Sequence, residues 1–188
     1  MKRILFIIMV IVLAAPAAWA QTPFVPSFQI GAGAGMSMPM GTMGDGMNNG
    51  YNLNASIGYQ IVPTVVLGAE MGLWGNGAND ETKLALGGDM DITSWEFAGM
   101  AKYKVPVAVH SVYAKGLAGM YHISSDVKST LGDFSVADTK FGFGMGGGFE
   151  FGGLKNTAIY GEAMYHRING DGSDAEFMTL NVGVLFSI

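Results

Sequence analysis

The sequence lacks cysteine and carries few charged residues. None of its 188 residues is cysteine, 13% are charged, and the formal net charge is −5. The absence of cysteine excludes disulfide bonds, thiol chemistry and a lipid-modified cysteine. An acidic chain with 10 Lys and Arg residues is poorly suited to neutralising phosphates, so we expect no nucleic-acid partner.

Long hydrophobic runs are also scarce. The apolar run at 4–15 follows two basic residues and precedes the small-residue sequence Ala18-Trp19-Ala20. It is shorter than the ~20 apolar residues that a membrane-spanning helix needs. We therefore predict that residues 1–20 are a cleaved secretory signal peptide and that residues 21–188 form one domain. The alternative is a membrane-anchoring helix at this position.

Glycine and aromatic residues are abundant instead. The chain has 29 glycines, and 11% of its residues are aromatic. Between residues 141 and 151, Phe or Met occupies most odd positions and glycine occupies the even ones, except for Glu150. Successive side chains of a strand point to opposite faces, so this segment has one apolar face and one nearly bare face. That pattern is typical of a strand between lipid and a narrow interior.

The same alternation predicts eight strands. Their predicted bounds are 27–40, 51–61, 64–74, 92–105, 111–124, 141–151, 158–168 and 180–188. Most are close to the roughly 9–11 residues that a tilted strand needs to cross a bilayer, and an even number lets the sheet close. We predict an all-β fold, an eight-stranded antiparallel up-and-down transmembrane β-barrel. The alternative, a soluble sandwich or lipocalin-like barrel, requires a charged exterior that these strands lack.

The predicted connections alternate in length. Short turns are expected at 62–64, 106–110 and 152–157, and long loops at 41–50, 75–91, 125–140 and 169–176. Outer-membrane barrels have short periplasmic turns and longer extracellular loops. The acidic residues of the long loops are Asp45, Asp80, Glu81, Asp89, Asp91, Asp126, Asp133, Asp138, Asp171, Asp174 and Glu176. We expect these loops to be solvated beside anionic lipopolysaccharide and its divalent cations.

Aromatic residues at outward positions form two predicted girdles. The lower girdle comprises Phe28, Tyr59, Tyr103, Phe149, Phe151 and Phe186. The upper girdle comprises Tyr51, Trp95, Phe143 and Tyr165. Aromatic side chains favour the two membrane–water interfaces, so the girdles support the predicted up-and-down course of the strands.

Four segments carry a resemblance to a known family. They are the glycine-alternating strand at 29–35, the glycine-rich strand at 141–151, and the strands at 159–165 and 180–188. With them, the mature chain resembles the small eight-stranded outer-membrane β-barrel family, the OmpA/OmpX-like β-barrel domain. The resemblance is specific for architecture and not for activity.

This resemblance implies a location and several partners. We expect a monomer in the bacterial outer membrane, in contact with outer-membrane lipids and lipopolysaccharide. The barrel-assembly machinery is expected to read the last strand. Family members usually end on an aromatic residue, whereas this sequence ends Phe186-Ser187-Ile188.

Parity, the alternation of outward and inward positions along each strand, places a charged cluster inside the barrel. The predicted lumenal residues are Glu70, Glu96, Lys102, Lys115, Glu150, Glu162 and His166. Charges in a narrow lumen must pair or hold water, because removing a lone charge from water is costly. We predict a polar plug without a continuous pore. The alternative is passage of ions, protons or small molecules through a narrow barrel, although the four glutamates argue against a lumen for hydrophobic molecules.

An enzymatic alternative rests on one short motif. His122 and Ser124 lie on one strand face, and outer-membrane lipid-modifying hydrolases use such a pair with an acidic residue. Asp126, Asp133 or Asp138 could supply that acid, but none has a distinctive spacing. We therefore predict no catalytic residues and no enzyme, and instead a role in envelope structure or surface interaction, with adhesion by the loops as one form.

Metal and cofactor binding are not expected. Methionines crowd one segment at positions 36, 38, 40, 43 and 47, and thioethers favour Cu(I). Parity turns the first three toward lipid, where methionine is an apolar filler. Calcium at 171–174 is disfavoured because the spacing differs from that of an EF-hand loop.

Overall fold

The structure is a computed structural model that describes residues 25–129, 132–154, 156–170 and 174–188. The predicted signal peptide at 1–20 lies outside the described residues and stays a prediction. None of the helices in the described ranges is long and apolar enough to cross a membrane.

Eight antiparallel strands form a closed ring, β1 to β8 in sequence order. The strands are β1 (Ser27–Met40), β2 (Gly50–Val62), β3 (Val65–Gly77), β4 (Gly88–Val107), β5 (His110–Ser129), β6 (Gly132–Leu154), β7 (Thr157–Ile168) and β8 (Ala175–Ser187). Two short helices, α1 (Gly41–Gly46) and α2 (Asp80–Leu86), follow β1 and β3. The predicted fold is confirmed.

The first and last strands close the barrel. Their register runs from the pair Gln29 and Ser187 to the pair Met40 and Glu176. Backbone hydrogen bonds continue beyond it, from Phe28 N to Ile188 O at 2.9 Å and back at 2.8 Å. Every described strand therefore has two neighbours, and no strand edge is left unpaired.

The two ends of the barrel differ. At the turn end, two-residue turns at 63–64 and 108–109 join β2 to β3 and β4 to β5. Ala108 has a φ of 56°, a backbone conformation that the tight hairpin requires. Both described termini lie at this end. The opposite end, the loop end, carries α1, α2 and the β5–β6 and β7–β8 connections.

The predicted loop at 125–140 is wrong for most of its length. Strand pairing continues to Ser129 and resumes at Gly132, with Val127 opposite Phe134. The sequence criterion stopped each strand where apolar outward residues ended, at the edge of the lipid belt. Backbone hydrogen bonds need no lipid, so the hairpin continues into water.

Two of the other three long connections, the predicted loops at 41–50 and 75–91, contain helices that the prediction lacked. Helix α2 begins after Asn79, whose side chain accepts a hydrogen bond from Thr82 N at 2.9 Å, and ends at Gly87 with a φ of 63°. These are ordinary helix capping features. The side chain of Asn79 also donates to Asp45 O at 2.8 Å. The connections holding α1 and α2 are thereby joined to each other.

The predicted girdle residues all lie outside the barrel. Phe28, Tyr51, Tyr59, Trp95 and Phe186 are exposed, and Tyr103, Phe143, Phe149 and Tyr165 are half-buried. Some of them touch along the surface, as Phe149 and Phe151 do with ring centroids 4.3 Å apart. Their role at the membrane interfaces stays a prediction.

Candidate functional site

The candidate site is the interior of the barrel. All seven residues predicted for the charged cluster are buried there: Glu70, Glu96, Lys102, Lys115, Glu150, Glu162 and His166. They come from β3 to β7, where alternate residues point inward. They divide into three groups along the barrel axis.

The middle group is built around Lys115 on β5. Its ammonium lies 2.9 Å from Glu70 Oε2 and 2.7 Å from Glu162 Oε1. The hydroxyl of Tyr113 donates to the other oxygen of Glu162 at 2.9 Å. One cation therefore links carboxylates from β3 and β7, two strands on either side of it, across the width of the lumen.

The group nearest the turn end is built around Glu150 on β6. Its two oxygens lie 3.1 Å from Lys102 Nζ and 2.5 Å from Lys104 Nζ. Ser111 Oγ also donates to Glu150, at 3.0 Å. Lys104 is absent from the predicted cluster. It has the same parity as Lys102 on β4, so the alternation along this strand also predicts an inward position for it.

The group nearest the loop end combines Glu96, Tyr121 and His166. Tyr121 donates its hydroxyl hydrogen to Glu96 Oε1 at 3.0 Å, and His166 Nδ1 lies 3.2 Å from the same hydroxyl. Since that hydroxyl hydrogen is engaged, the imidazole fits as a donor through Nδ1. His166 Nε2 then accepts from Thr179, 3.5 Å away.

An aromatic layer covers this group on the loop side. Trp74 stacks on Tyr121 with centroids 5.7 Å apart, and Phe177 stacks on His166 at 4.8 Å. Trp74 also meets Phe177 edge-on at 4.8 Å. Sequence reasoning missed both Trp74 and Phe177. Parity along β3 would have indicated Trp74, whereas Phe177 fell outside the predicted terminal strand.

Glycines opposite the bulky residues make room for them. A Cβ at Gly142 would lie 2.8 Å from the Tyr121 ring, and one at Gly148 would lie 2.6 Å from Tyr113 Cζ. Tyr160 on β7 points the other way and lies over Gly33 on β1. Its hydroxyl donates to Asn54 on β2 at 3.0 Å. The bare inner face of β6 is thus occupied by its neighbours' side chains.

Buried ammonium groups and carboxylates neutralise each other's charge in this interior. Lys115 contacts two carboxylates, and Glu150 contacts two ammonium groups. Paired charges with satisfied hydrogen bonds are tolerated in a low-dielectric interior, whereas single ones are not. These contacts hold opposite sides of the barrel together and occupy the lumen.

The His122 and Ser124 pair lies outside the barrel. Ser124 Oγ is 3.5 Å from His122 Nε2, and His122 Nδ1 is 2.9 Å from Thr139 Oγ1. In the described part of the chain, the group that orients this imidazole is therefore a hydroxyl and not a carboxylate. Asp138, one of the three predicted acids, pairs with Lys140, whose hydrogen bond lowers the pKa of the Asp138 carboxyl.

The methionine segment does not converge on one point. Met36 faces outward, Met47 is buried beside α2, and Met43 lines a cavity at the loop end. Among the described residues, no three His, Cys, Asp or Glu side chains are grouped to hold a metal ion. The disfavoured calcium segment at 171–174 lies outside the described residues apart from Asp174.

Solved structures share this architecture at low sequence identity. Neisserial surface protein A is 17% identical, with a TM-score of 0.65, over 87% of this chain and 99% of that chain. The attachment invasion locus protein Ail of Yersinia pestis, solved with the heparin analogue sucrose octasulfate, is 20% identical, with a TM-score of 0.55, over 87% and 97%. A major outer membrane protein from Thermus thermophilus has a TM-score of 0.56 at 13% identity, over 88% and 100%.

Family membership rests on the sequence as a whole. No curated protein sequence matches this chain. The family model described as an outer membrane protein beta-barrel domain matches residues 5–187. The predicted resemblance is thereby confirmed in the sequence as well as in the fold. This chain therefore belongs to the outer membrane protein beta-barrel domain family and is a protein of the bacterial outer membrane.

Proposed function

We propose that this protein is a non-conducting barrel with a structural and surface-interaction role in the outer membrane, and that it is not an enzyme. The single observation that carries this proposal is the contact of Lys115 with Glu70 and Glu162, which ties the lumen together at mid-height. A channel for solutes would need a gap at this level. A barrel with its interior cross-linked is suited instead to act as a rigid base for its loops.

The dimensions of the barrel support the proposal. Eight strands enclose an interior that is just wide enough for side chains to fill. Here the turn-end group, the middle group and the aromatic layer follow one another along the axis. A solute would have to displace paired charges in two of them and stacked rings in the third.

Single-channel recording in planar lipid bilayers tests the proposal. We expect the folded protein to give no steady, large conductance. A variant with only the middle group truncated, Glu70→Ala with Lys115→Ala and Glu162→Ala, should also give no steady, large conductance, because the turn-end group and the aromatic layer still close the lumen. A steady, large conductance from the unaltered protein would overturn the proposal.

The loop end supports the surface-interaction part. Asn48 N donates to Gly77 O at 2.8 Å, Asn79 N donates to Gly46 O at 3.0 Å, and Met47 bridges Ala78. Two connections are thus joined into one ordered surface on a rigid base, a common arrangement for recognition. The surface carries Asp45, Asp80 and Glu81, and it is suited to divalent cations bound to lipopolysaccharide. A sulfated polyanion, the kind of ligand in the Ail complex, does not fit this charge.

Nanodiscs with and without lipopolysaccharide test this contact. Backbone amide signals of α2 should shift when Mg²⁺ is removed by EDTA in lipopolysaccharide discs, and should stay in place in phospholipid discs. The variant Asp80→Asn with Glu81→Gln should lose the response. Equal shifts in both kinds of disc would contradict a contact with lipopolysaccharide.

We also infer that the protein is a monomer assembled through its last strand by the barrel-assembly machinery. The closed pairing of β1 with β8 supports the monomer, because no described strand offers an edge for a second copy. Sedimentation in density-matched detergent should give the mass of one chain. A concentration-dependent dimer would contradict this.

A further inference from the structure

A cavity lies at the loop end, above the aromatic layer. Its volume is about 180 Å³. Its apolar and aromatic walls include Trp74, Ile92, Ile123, Ile168, Ala175 and Phe177. The proposed structural role makes no use of this space.

The walls of this cavity are mainly apolar and aromatic. Trp74, Phe177 and Ile168 are buried, at 3%, 4% and 2% exposure. Two of the polar wall residues are already engaged with each other, since Ser37 Oγ donates to Asn76 Oδ1 at 3.1 Å. The Asn76 amide nitrogen donates in turn to Asn48 O at 3.1 Å. Because these polar groups already bond within the protein, the walls of the cavity bind water weakly.

The floor of the cavity separates it from the charged lumen. Trp74 and Phe177 are in contact with each other and stack on Tyr121 and His166 below them. Met43, on the helix that connects the loop ends of β1 and β2, closes part of the opposite side. The cavity is therefore a pocket that ends at the aromatic layer and not part of a path through the barrel.

We propose that this pocket binds one neutral, single-ring aromatic molecule. An apolar cavity of about 150 Å³ stays dry and takes up benzene, so a pocket of this size holds one substituted ring. Trp74 and Phe177 supply faces for stacking and edge contacts.

Methyl-labelled isoleucines provide the measurement. Ile92, Ile123 and Ile168 line the pocket, whereas Ile57 and Ile159 face lipid and are 53% and 54% exposed. Acetophenone added to the folded protein in micelles should shift the first three methyl signals saturably. The two lipid-facing methyls report only the partition of the probe into the micelle and should change linearly.

Two substitutions separate pocket binding from general solubility in the micelle. Ala175→Leu fills the pocket and should abolish the saturable shifts. Ala163→Leu makes the same change on the lipid-facing side of β7 and should leave them intact. If Ala175→Leu retains binding, or if pocket and lipid-facing methyls respond alike, the proposal is overturned. Unchanged signals from Ile57 and Ile159 show that each variant is folded.

Discussion

The inner wall of this barrel has two unlike parts. The charged wall, β3 to β7, supplies every buried Lys, Glu and His side chain described in the lumen. The short wall, named for its short side chains, comprises β1, β2 and β8. It presents mainly glycine, serine, threonine and amide side chains, such as Gly33, Asn52 and Asn181. Both walls enclose the same narrow lumen. Ionised side chains and their hydrogen bonds dominate the charged wall, whereas small side chains dominate the short wall.

The lumen is filled because large side chains of one wall face small side chains of the other. Long side chains of the charged wall extend into the space, and Tyr160 reaches the short wall to bond Asn54. A second charged wall would have no room for its side chains. A second short wall would leave an open channel. The stability of the charged wall should therefore rest on charge pairing, and that of the short wall on side-chain volume.

Removing the central cation should have the largest effect. Lys115→Met leaves Glu70 and Glu162 as neighbouring buried carboxylates without their cation. Breaking a buried ion pair in this way costs about 3–5 kcal/mol of unfolding free energy. Urea unfolding in lipid vesicles measures it. The control Asn52→Ala alters the short wall at a buried amide whose Oδ1 has no hydrogen-bond partner among the described residues, and should cost about 1 kcal/mol or less.

A rescue variant sharpens the same comparison. Adding Glu70→Gln and Glu162→Gln to Lys115→Met removes the uncompensated charges. Most of the lost stability should return, because a neutral group of similar volume replaces a buried ion pair at little cost. If the triple variant is no more stable than Lys115→Met, volume and not charge governs the charged wall.

Enlarging the short wall should have an intermediate effect. In Gly33→Val, a Cβ would lie 2.5 Å from Asn54 Oδ1 and 3.1 Å from Tyr160 Cζ. Overpacking of this kind costs about 1–3 kcal/mol. Gly161→Val is the matched control, because a Cβ there meets no atom within 4 Å. It should be neutral or slightly stabilising, since valine favours strands. Equal losses at the two sites, by the same urea measurement, would show that β-propensity and not lumenal volume is responsible.

The smallest effect is expected outside both walls, at the loop end. Arg167 donates to Asp174, and this hydrogen bond lowers the pKa of the Asp174 carboxyl. A lowered pKa in the folded state contributes stability above the pKa of the unfolded chain, and the contribution is lost as the pH falls through the folded value. Arg167 is exposed and Asp174 is half-buried, so water still screens the pair and it contributes little to stability.

Carboxyl carbon NMR can detect this pair directly. In Arg167→Gln the titration midpoint of Asp174 should rise toward the ordinary value for aspartate. Lys83→Gln should instead raise the midpoint of Asp89, whose pKa is lowered by its hydrogen bond from Lys83, and should leave Asp174 unchanged. A response of Asp174 to Lys83→Gln would mean that the general field of the loop end, and not the Arg167 contact, sets its pKa.

Much of the fold followed from the two-residue period of the chain. The predicted bounds of β1, 27–40, coincide with the strand, and β7 differs by one residue. The errors lie at the loop end. The sequence predicts a loop over residues 125–129 and 132–140 because they lack outward apolar side chains, and α1 and α2 depend on contacts between two connections. Only the part of the barrel that contacts lipid requires apolar side chains at outward positions. The pattern used for the prediction is therefore confined to that part.

Parity also predicts which charged residues face the lumen. It does not predict which of them form ion pairs with one another. Lys102 and Lys115 are direct partners in the register of β4 and β5, where like charges are unfavourable. The structure separates them, because Lys102 reaches Glu150 and Lys115 reaches Glu70 and Glu162. These contacts span up to two strands and depend on the curvature of the ring, which is absent from any single strand.

The eight strands, the outward side of each strand and the charged residues on the inner side can all be read from the alternation of residue types. Alternation along a strand is a local property, so the residues of one segment are enough to show it. The folded barrel adds which carboxylate meets which ammonium group, where the aromatic layer closes the lumen, and the pocket that remains above that layer. These features depend on the distance between strands that closure of the ring brings face to face.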